Sequence, residues 1–313
     1  MNKLRPVKLV PAFKDYLWGG TRLKEEYNKK TDMQPLAESW ELSCHKDGES
    51  RIACGDYAGK TLSEYIDICG RDILGTNAQK FDFFPVLIKF IDAKSDLSVQ
   101  VHPDDEYAGK YENSYGKTEM WYVLEAEEGA YLYYGLNRDI TRSELAQRIE
   151  NNTICEVLNK VSVKKGDVFF IGAGTLHAIC SGIVICEIQQ NSNLTYRVYD
   201  YDRRDKDGNP RQLHIEKALE VTNLKKAQEI KAPQDGILAQ CKYFNVRRMN
   251  VPENDGLKLD GASFTSIIVT GGRGKMYCGG AEYDLEKGDS YFVPAQEGKL
   301  EFEGCCEIII TRV

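Results

Sequence analysis

The sequence predicts a mainly β protein, built as two related β-barrels with a few short helices. Three observations carry that expectation. The chain has 313 residues, more than the roughly 250–300 at which a single core stops growing, so two domains are expected. Short β-branched and aromatic runs recur between turn signals, at the spacing of sandwiches and barrels rather than of alternating strands and helices. One stretch also occurs twice without a gap, as Lys165-Gly-Asp-Val-Phe-Phe-Ile-Gly-Ala173 and Lys287-Gly-Asp-Ser-Tyr-Phe-Val-Pro-Ala295. Each copy reads as a Gly-Asp turn, a short strand and a small-residue turn.

The expected strands are Phe84–Ile91, Met120–Leu124, Tyr131–Tyr134, Val168–Ile171, Ile183–Ile188, Tyr243–Met249, Ser266–Thr270, Ser290–Val293 and Glu307–Thr311. Helices are few. Thr61-Leu-Ser-Glu64 is a capping-box pattern opening a helix to about Ile68, and Thr141-Arg-Ser-Glu144 opens another through Glu150. Leu213–Val221 reads as a third. The charged stretch 224–237 is the expected linker, which divides the chain into residues 1–230 and 231–313.

Hydrophobic residues make up 42% and charged residues 28%, an ordinary globular balance. The net charge of −7 supplies no cation excess for a polyanion, so no nucleic-acid partner is expected. It leaves room for one small anion held by local cations. No run approaches the roughly 18 apolar residues of a membrane helix, and charges and prolines interrupt the N-terminus too soon for a signal peptide. A cytoplasmic protein without a membrane partner is expected, as a monomer or weak homodimer. In that compartment the ten cysteines read as small buried hydrophobes. A metal site must draw on four histidines, His45, His102, His177 and His214, together with carboxylates. His45 and His214 show no ligand spacing and read as ordinary residues.

Three segments carry chemistry. In Ser98-Val-Gln100-Val-His102 the polar residues share one face of a strand, with Val99 and Val101 behind. A polar inward stripe is costly unless a metal or ligand satisfies it, the alternative being a solvent-facing stripe. Lys117 and Glu119 also share a face at strand spacing. The third segment, Gly166-x5-Gly172-x-Gly174-x2-His177, ends a strand in a glycine-rich bend before a histidine. In the second copy Lys299 falls where His177 stands, and no histidine follows His214. A metal at this position therefore belongs to the first barrel alone.

The third segment resembles the second cupin motif, with Gly172 in place of proline. Gln100-x-His102 resembles the first, with glutamine for its first histidine and Glu119 displaced by an insertion. The resemblance implies jelly-roll barrels and a metal held by two imidazoles, a carboxylate and an amide oxygen. That donor set suits zinc and also iron or manganese. Longer runs narrow it further: Asp92 to Asp105, Gly116-Lys-Thr-Glu119, Gly174-Thr-Leu-His177-Ala178, Gln189 to Arg203, and the early Tyr16-Leu-Trp18-Gly-Gly20. From residue 10 to the end, the chain resembles the short bacterial form of type I mannose-6-phosphate isomerases.

The resemblance implies an aldose–ketose isomerase acting on a phosphosugar through a cis-enediol, with one Zn²⁺ per chain. It implies Gln100, His102, Glu119 and His177 as metal ligands and Arg197 as the catalytic arginine. Lys89, Ser98 and Lys117 match the family's phosphate-binding positions. Lys89 also lies in an otherwise apolar strand, where an ammonium is costly to bury without an anion, the alternative being a snorkelling edge lysine. An arginine does not readily serve as a base, so Arg197 reads as an electrostatic clamp, the alternative being an ion pair with Asp200 or Asp202. Glu187 and a metal-bound water are the candidates for proton carrier. Trp18, Tyr107 and Tyr115 are expected at the pocket mouth. The rival functions are an iron-dependent cupin oxygenase, in which Lys89 and Lys117 have no evident role, and a non-catalytic sugar-phosphate-binding cupin.

Overall fold

The computed structural model describes residues 4–204, 208–230, 235–253 and 256–313. They form two compact units. A central unit takes in Asp15–Gly20 and Ile91–Ala232, and a terminal unit takes in the described residues of Met1–Lys14, Thr21–Phe90 and Pro233–Val313. The expected boundary between residues 230 and 231 falls at the edge of the described residues. Residues 21–90 group with the C-terminal barrel, for a reason visible in the strand pairing. Val7–Val10 pairs antiparallel with Ser290–Val293 and also with Arg51–Ile52, which joins the two segments. Buried Lys29 donates to Gly288 O at 2.5 Å and pairs with Glu41 at 2.7 Å.

In the central unit, Glu119–Ala126 pairs antiparallel with both Val168–Ile171 and Ile183–Gln190. A second sheet runs in the order Leu158–Ser162, Tyr131–Leu136, His177–Ile179, Val99–Val101, Tyr196–Tyr199. Strand periodicity sorts its residues onto two faces. Val99, Val101, Leu176, Ala178, Tyr196 and Val198 pack in one apolar cluster with Leu145 and Ile149 of the helix Arg142–Glu150 and with Ala218. The alternate residues Gln100, His177 and Arg197 therefore turn to the opposite face. The apolar layer behind that face fixes the register, because a one-residue slip would exchange the two sets.

The terminal unit repeats this pattern. Thr265–Cys278 pairs with both Ser290–Val293 and Glu297–Arg312. Asn245–Val251 and Gly256–Asp260 add to the other edge of Glu297–Arg312. Its interior is apolar, with Ile267, Val269, Met276, Leu285, Ile308 and Ile310 buried together. The two copies of the sequence repeat form the same turn. Gly166 N donates to Val123 O and Gly288 N to Val269 O, both at 2.8 Å. The Asp167 carboxylate accepts from Lys164 N at 2.9 Å, and that of Asp289 from Glu286 N at 3.0 Å.

The expected strands are found, some longer than predicted and two starting two residues later, at Val86 and Asn245. Ser266–Thr270 and Glu307–Thr311 are parts of the ribbons Thr265–Cys278 and Glu297–Arg312. Beyond Thr270, glycine lets two backbones approach closely: a Cβ on Gly272, whose φ is +71°, would lie 2.1 Å from Cys305 O. The capping box is complete at Thr61 and Glu64, before the helix Leu62–Cys69. Thr141 caps the helix Arg142–Glu150, and the third helix is Ile215–Val221. The helix Asp105–Tyr111 was not expected, although Asp104 caps it by accepting from Tyr107 N at 2.9 Å. No helix among the described residues is long and apolar enough to cross a membrane.

Candidate active site

On the central unit's polar face, His102, Glu119 and His177 converge, all buried, with ligating atoms within 4.8 Å of one another. The positions follow from the fold. His177 opens its strand directly opposite Gln100, and Glu119 opens its own strand opposite Ile171 of the repeat. Gly174 ties the two histidine segments together: its N–H donates to His102 O at 2.9 Å. Its φ is +83°, and a Cβ there would approach Val221 O to 2.9 Å, so only glycine suits the bend.

The Glu119 carboxylate lies between the imidazoles, with Oε1 3.4 Å from His177 Nε2 and Oε2 3.6 Å from His102 Nε2. His177 Nδ1 donates to Thr175 O at 2.8 Å, which leaves the Nε2 lone pair facing the carboxylate. Burial, then the Lys117 charge, push the His177 pKa down to about 3, so the ring is neutral at ordinary pH. Gln100 Nε2 stands 3.3 Å from His177 Nε2. Half a turn of the amide exchanges that nitrogen for an oxygen donor. Two neutral imidazoles, a carboxylate and an amide are a donor set that fits a divalent transition metal.

Lys117 is buried in this cluster. Its ammonium donates to His102 Nε2 at 3.0 Å and to Glu119 Oε2, and lies 3.8 Å from Glu187 Oε1. Glu187 is also buried, and its Oε2 accepts from the Trp121 indole N–H at 2.9 Å. Arg197, opposite Gln100 on the next strand, donates to Ser98 Oγ at 3.1 Å and to Gln212 O at 3.0 Å. Burial, then neighbouring Arg211, lower its pKa from the usual arginine value. The alternative ion pair with Asp200 does not form: Asp200 binds Arg203 at 2.6 Å and Arg211 at 2.7 Å instead.

Residues 7–135 match the phosphomannose isomerase type I catalytic domain, and residues 235–313 match the mannose-6-phosphate isomerase cupin domain. The mannose-6-phosphate isomerase ManA of Bacillus subtilis is 39% identical over 317 residues, covering 98% of this chain and 99% of that protein. The chain belongs to the type I phosphomannose isomerase family. The probable mannose-6-phosphate isomerase GmuF of the same organism is 36% identical over 324 residues, again covering 98% of this chain and 99% of the relative. The crystal structure of mannose 6-phosphate isomerase from Bacillus subtilis matches with a TM-score of 0.89 and 35% identity, covering 99% of this chain and 100% of the other.

As in the central unit, a tryptophan, a glutamate and a lysine meet in the terminal unit of this family member. Lys89 is buried, 3.5 Å from Glu38 Oε2 and 4.8 Å from the centre of the Trp40 ring. The Trp40 indole donates to that same Glu38 oxygen at 2.6 Å. Lys89 is therefore met by a carboxylate and an aromatic face, the partners its apolar strand called for. Neither Glu38 nor Trp121 was foreseen. The period-2 signal was available for both: Glu38 is two residues from Trp40, and Trp121 two from Glu119. Tyr107 donates its hydroxyl to Glu220 at 2.7 Å, and Trp18 is buried beside Tyr16. His214 Nδ1 faces the Arg197 backbone N–H at 3.4 Å, so it supports the arginine's strand.

Proposed function

We propose that this chain interconverts mannose 6-phosphate and fructose 6-phosphate. The observation that carries the proposal is the buried His102–Glu119–His177 cluster in a chain of this family. We assign it one zinc ion per chain, a metal that its donor chemistry suits, with Gln100 as the further ligand. When bound, the ion supplies Lewis acidity for negative charge developing on the C1 and C2 oxygens.

The chain's own residues handle the proton and the anion. In the reaction a proton leaves C2 of the open-chain aldose and arrives at C1 through a cis-enediol, while the hydroxyl proton passes from O2 to O1. Glu187 carries the carbon-bound proton. The Trp121 hydrogen bond to Oε2 supports this role by holding the carboxylate in one orientation. Arg197 holds the negative charge of the enediolate, and its bond to Ser98 favours a shared hold on substrate oxygens. Lys89, Ser98 and Lys117 bind the phosphate. Lys117 lies beside both Glu119, a proposed metal ligand, and Glu187, the proposed proton carrier. We read the protein as cytoplasmic, a monomer or weak homodimer, with a phosphosugar as its small-molecule partner.

A coupled assay on mannose 6-phosphate, run with metal analysis of the same sample, tests the proposal. Isomerisation tracking about one metal per chain is expected, and Lys89→Ala should weaken phosphorylated substrate selectively. Full activity after rigorous chelation, or oxygen uptake in place of isomerisation, sinks the reading.

A further inference from the structure

The terminal unit carries a cavity of about 260 Å³ whose lining includes Asn245, Arg247, Asp260, Ile310 and Arg312. Two arginines stand at its rim, Arg247 exposed and Arg312 part-buried. Arg247 is two residues from Met249, and Arg312 two from Ile310; both neighbours belong to the barrel's apolar interior. The strands set Arg247 beside Ile310 and Asn245 beside Arg312. The part-buried Arg312 guanidinium needs counter-charge or hydrogen bonds. Asp260 accepts from one amino group of Arg312. The Arg312 Nε is buried and has no hydrogen-bond partner among the described residues.

Strand register locates this cavity in the repeat. Glu187 pairs with Trp121, which pairs with Phe169 of the first copy. Ile310 pairs with Ile267, which pairs with Tyr291, the same position of the second copy. Ile310 therefore stands in the register of Glu187, and Arg312, two residues on, in that of Gln189. On the other side His177 pairs with Gln100, and Lys299, its counterpart, with Lys258. Two residues further along each strand stand His102 and Asp260. The cavity thus occupies the registers that carry His102 and Glu187 in the central unit, with guanidinium groups among its lining.

We propose that the terminal barrel binds a small oxyanion, the phosphate or carboxylate group of a compact metabolite, between Arg247 and Arg312. The guanidinium fork matches such groups in two-point geometry. The buried Nε–H of Arg312 is the donor aimed at the ligand, Arg247 supplies the second charge, and the Asn245 amide a further polar contact. Asp260 keeps Arg312 oriented.

The test reads Arg312 directly and does not depend on isomerase activity. In the full chain labelled with ¹⁵N-arginine, the Arg312 Nε–Hε resonance is assigned by its loss in Arg312→Lys. Inorganic phosphate or succinate should shift it saturably, and Arg247→Ala should weaken that affinity at least tenfold. Saturation by phosphate alone identifies phosphate groups as the ligand, and by succinate alone carboxylates. A resonance that neither anion moves, that drifts linearly with ionic strength, or that saturates with unchanged affinity in Arg247→Ala overturns the proposal.

Discussion

The two barrels share a turn down to its hydrogen bonds, and a bulge as well. The ladder shifts register between Val184 and Ile185 opposite Glu119–Ala126, and between Val269 and Gly271 opposite Glu297–Arg312. Their linings differ almost completely. Where the central unit has Glu119 opposite Ile171, the terminal unit has Thr265 opposite Val293. Where it has Glu187, the terminal unit has Ile310; where it has His177, the terminal unit has Lys299, an exposed residue paired with Glu301. The scaffold is held by backbone bonds that do not depend on the inward side chains. Inward positions are thus free to become a buried His–Glu–His cluster in one copy and a mainly apolar core in the other. The comparison teaches that the repeat reports architecture, and that chemistry must be read from the alternating residues.

Removing the proposed ligand His177 from one copy and its counterpart Lys299 from the other breaks this comparison most sharply. His177→Ala should abolish measurable isomerisation and strip the metal, a loss beyond the about 10–100-fold typical of groups one shell out. Lys299→Ala should leave both unchanged. Metal content and kcat measured on the same samples decide it, and a metal-loaded, active His177→Ala protein removes the distinction between the barrels.

The next pair tests the proton carrier. Glu187→Gln keeps shape and the acceptor for Trp121 but cannot take a proton, so kcat should fall by about 10²–10⁴ with metal retained. Ile310→Val, at the same register, should leave kcat intact and cost about 0.5–1.5 kcal/mol of stability. Equal kcat in Glu187→Gln and the parent would move the proton to another group.

Much of this was legible in the sequence, and unevenly so. The period-2 alternation of Ser98, Gln100 and His102 placed those residues on one face, because Val99 and Val101 pack in the apolar layer behind it. The repeat placed His177 and Lys299 at equivalent stations. Partners distant in sequence were not legible. Nothing local in Lys29 announces Glu41, nor anything in Val7–Val10 its pairing with Ser290–Val293. For the same reason residues 21–90 did not read as companions of the C-terminal barrel. The ribbon's continuation past Thr270 was not legible, because a glycine such as Gly272 suits a strand end as well as a close backbone approach. Arg197 reads from sequence as a clamp or as a partner of Asp200 or Asp202; in the fold Asp200 is taken by Arg203 and Arg211, and Arg197 bonds to Ser98 and Gln212.

The smallest effects compare two Asp–Arg pairs, one in each unit. Asp200 has a side chain 6% exposed and two arginine partners. Burial pushes its pKa up, but hydrogen bonds and charge from Arg211 and Arg203 outweigh burial and leave it below the usual value. Asp260 is 53% exposed and is held down chiefly by Arg312. Both pKa values are depressed on folding, so each pair stabilises the protein above the unfolded aspartate pKa of about 3.9. That contribution disappears as pH falls through the lower folded value. Asp200→Asn should therefore cost about 2 kcal/mol at pH 7, in the range of charged hydrogen bonds. Asp260→Asn should cost at most about 1 kcal/mol after solvent screening. Denaturant unfolding at pH 7 and in steps below pH 4 checks both, with each mutant's deficit expected to shrink in acid. A deficit for Asp200→Asn that stays constant through that range would assign its cost to packing, and the contrast between the buried and the exposed pair would then not be electrostatic.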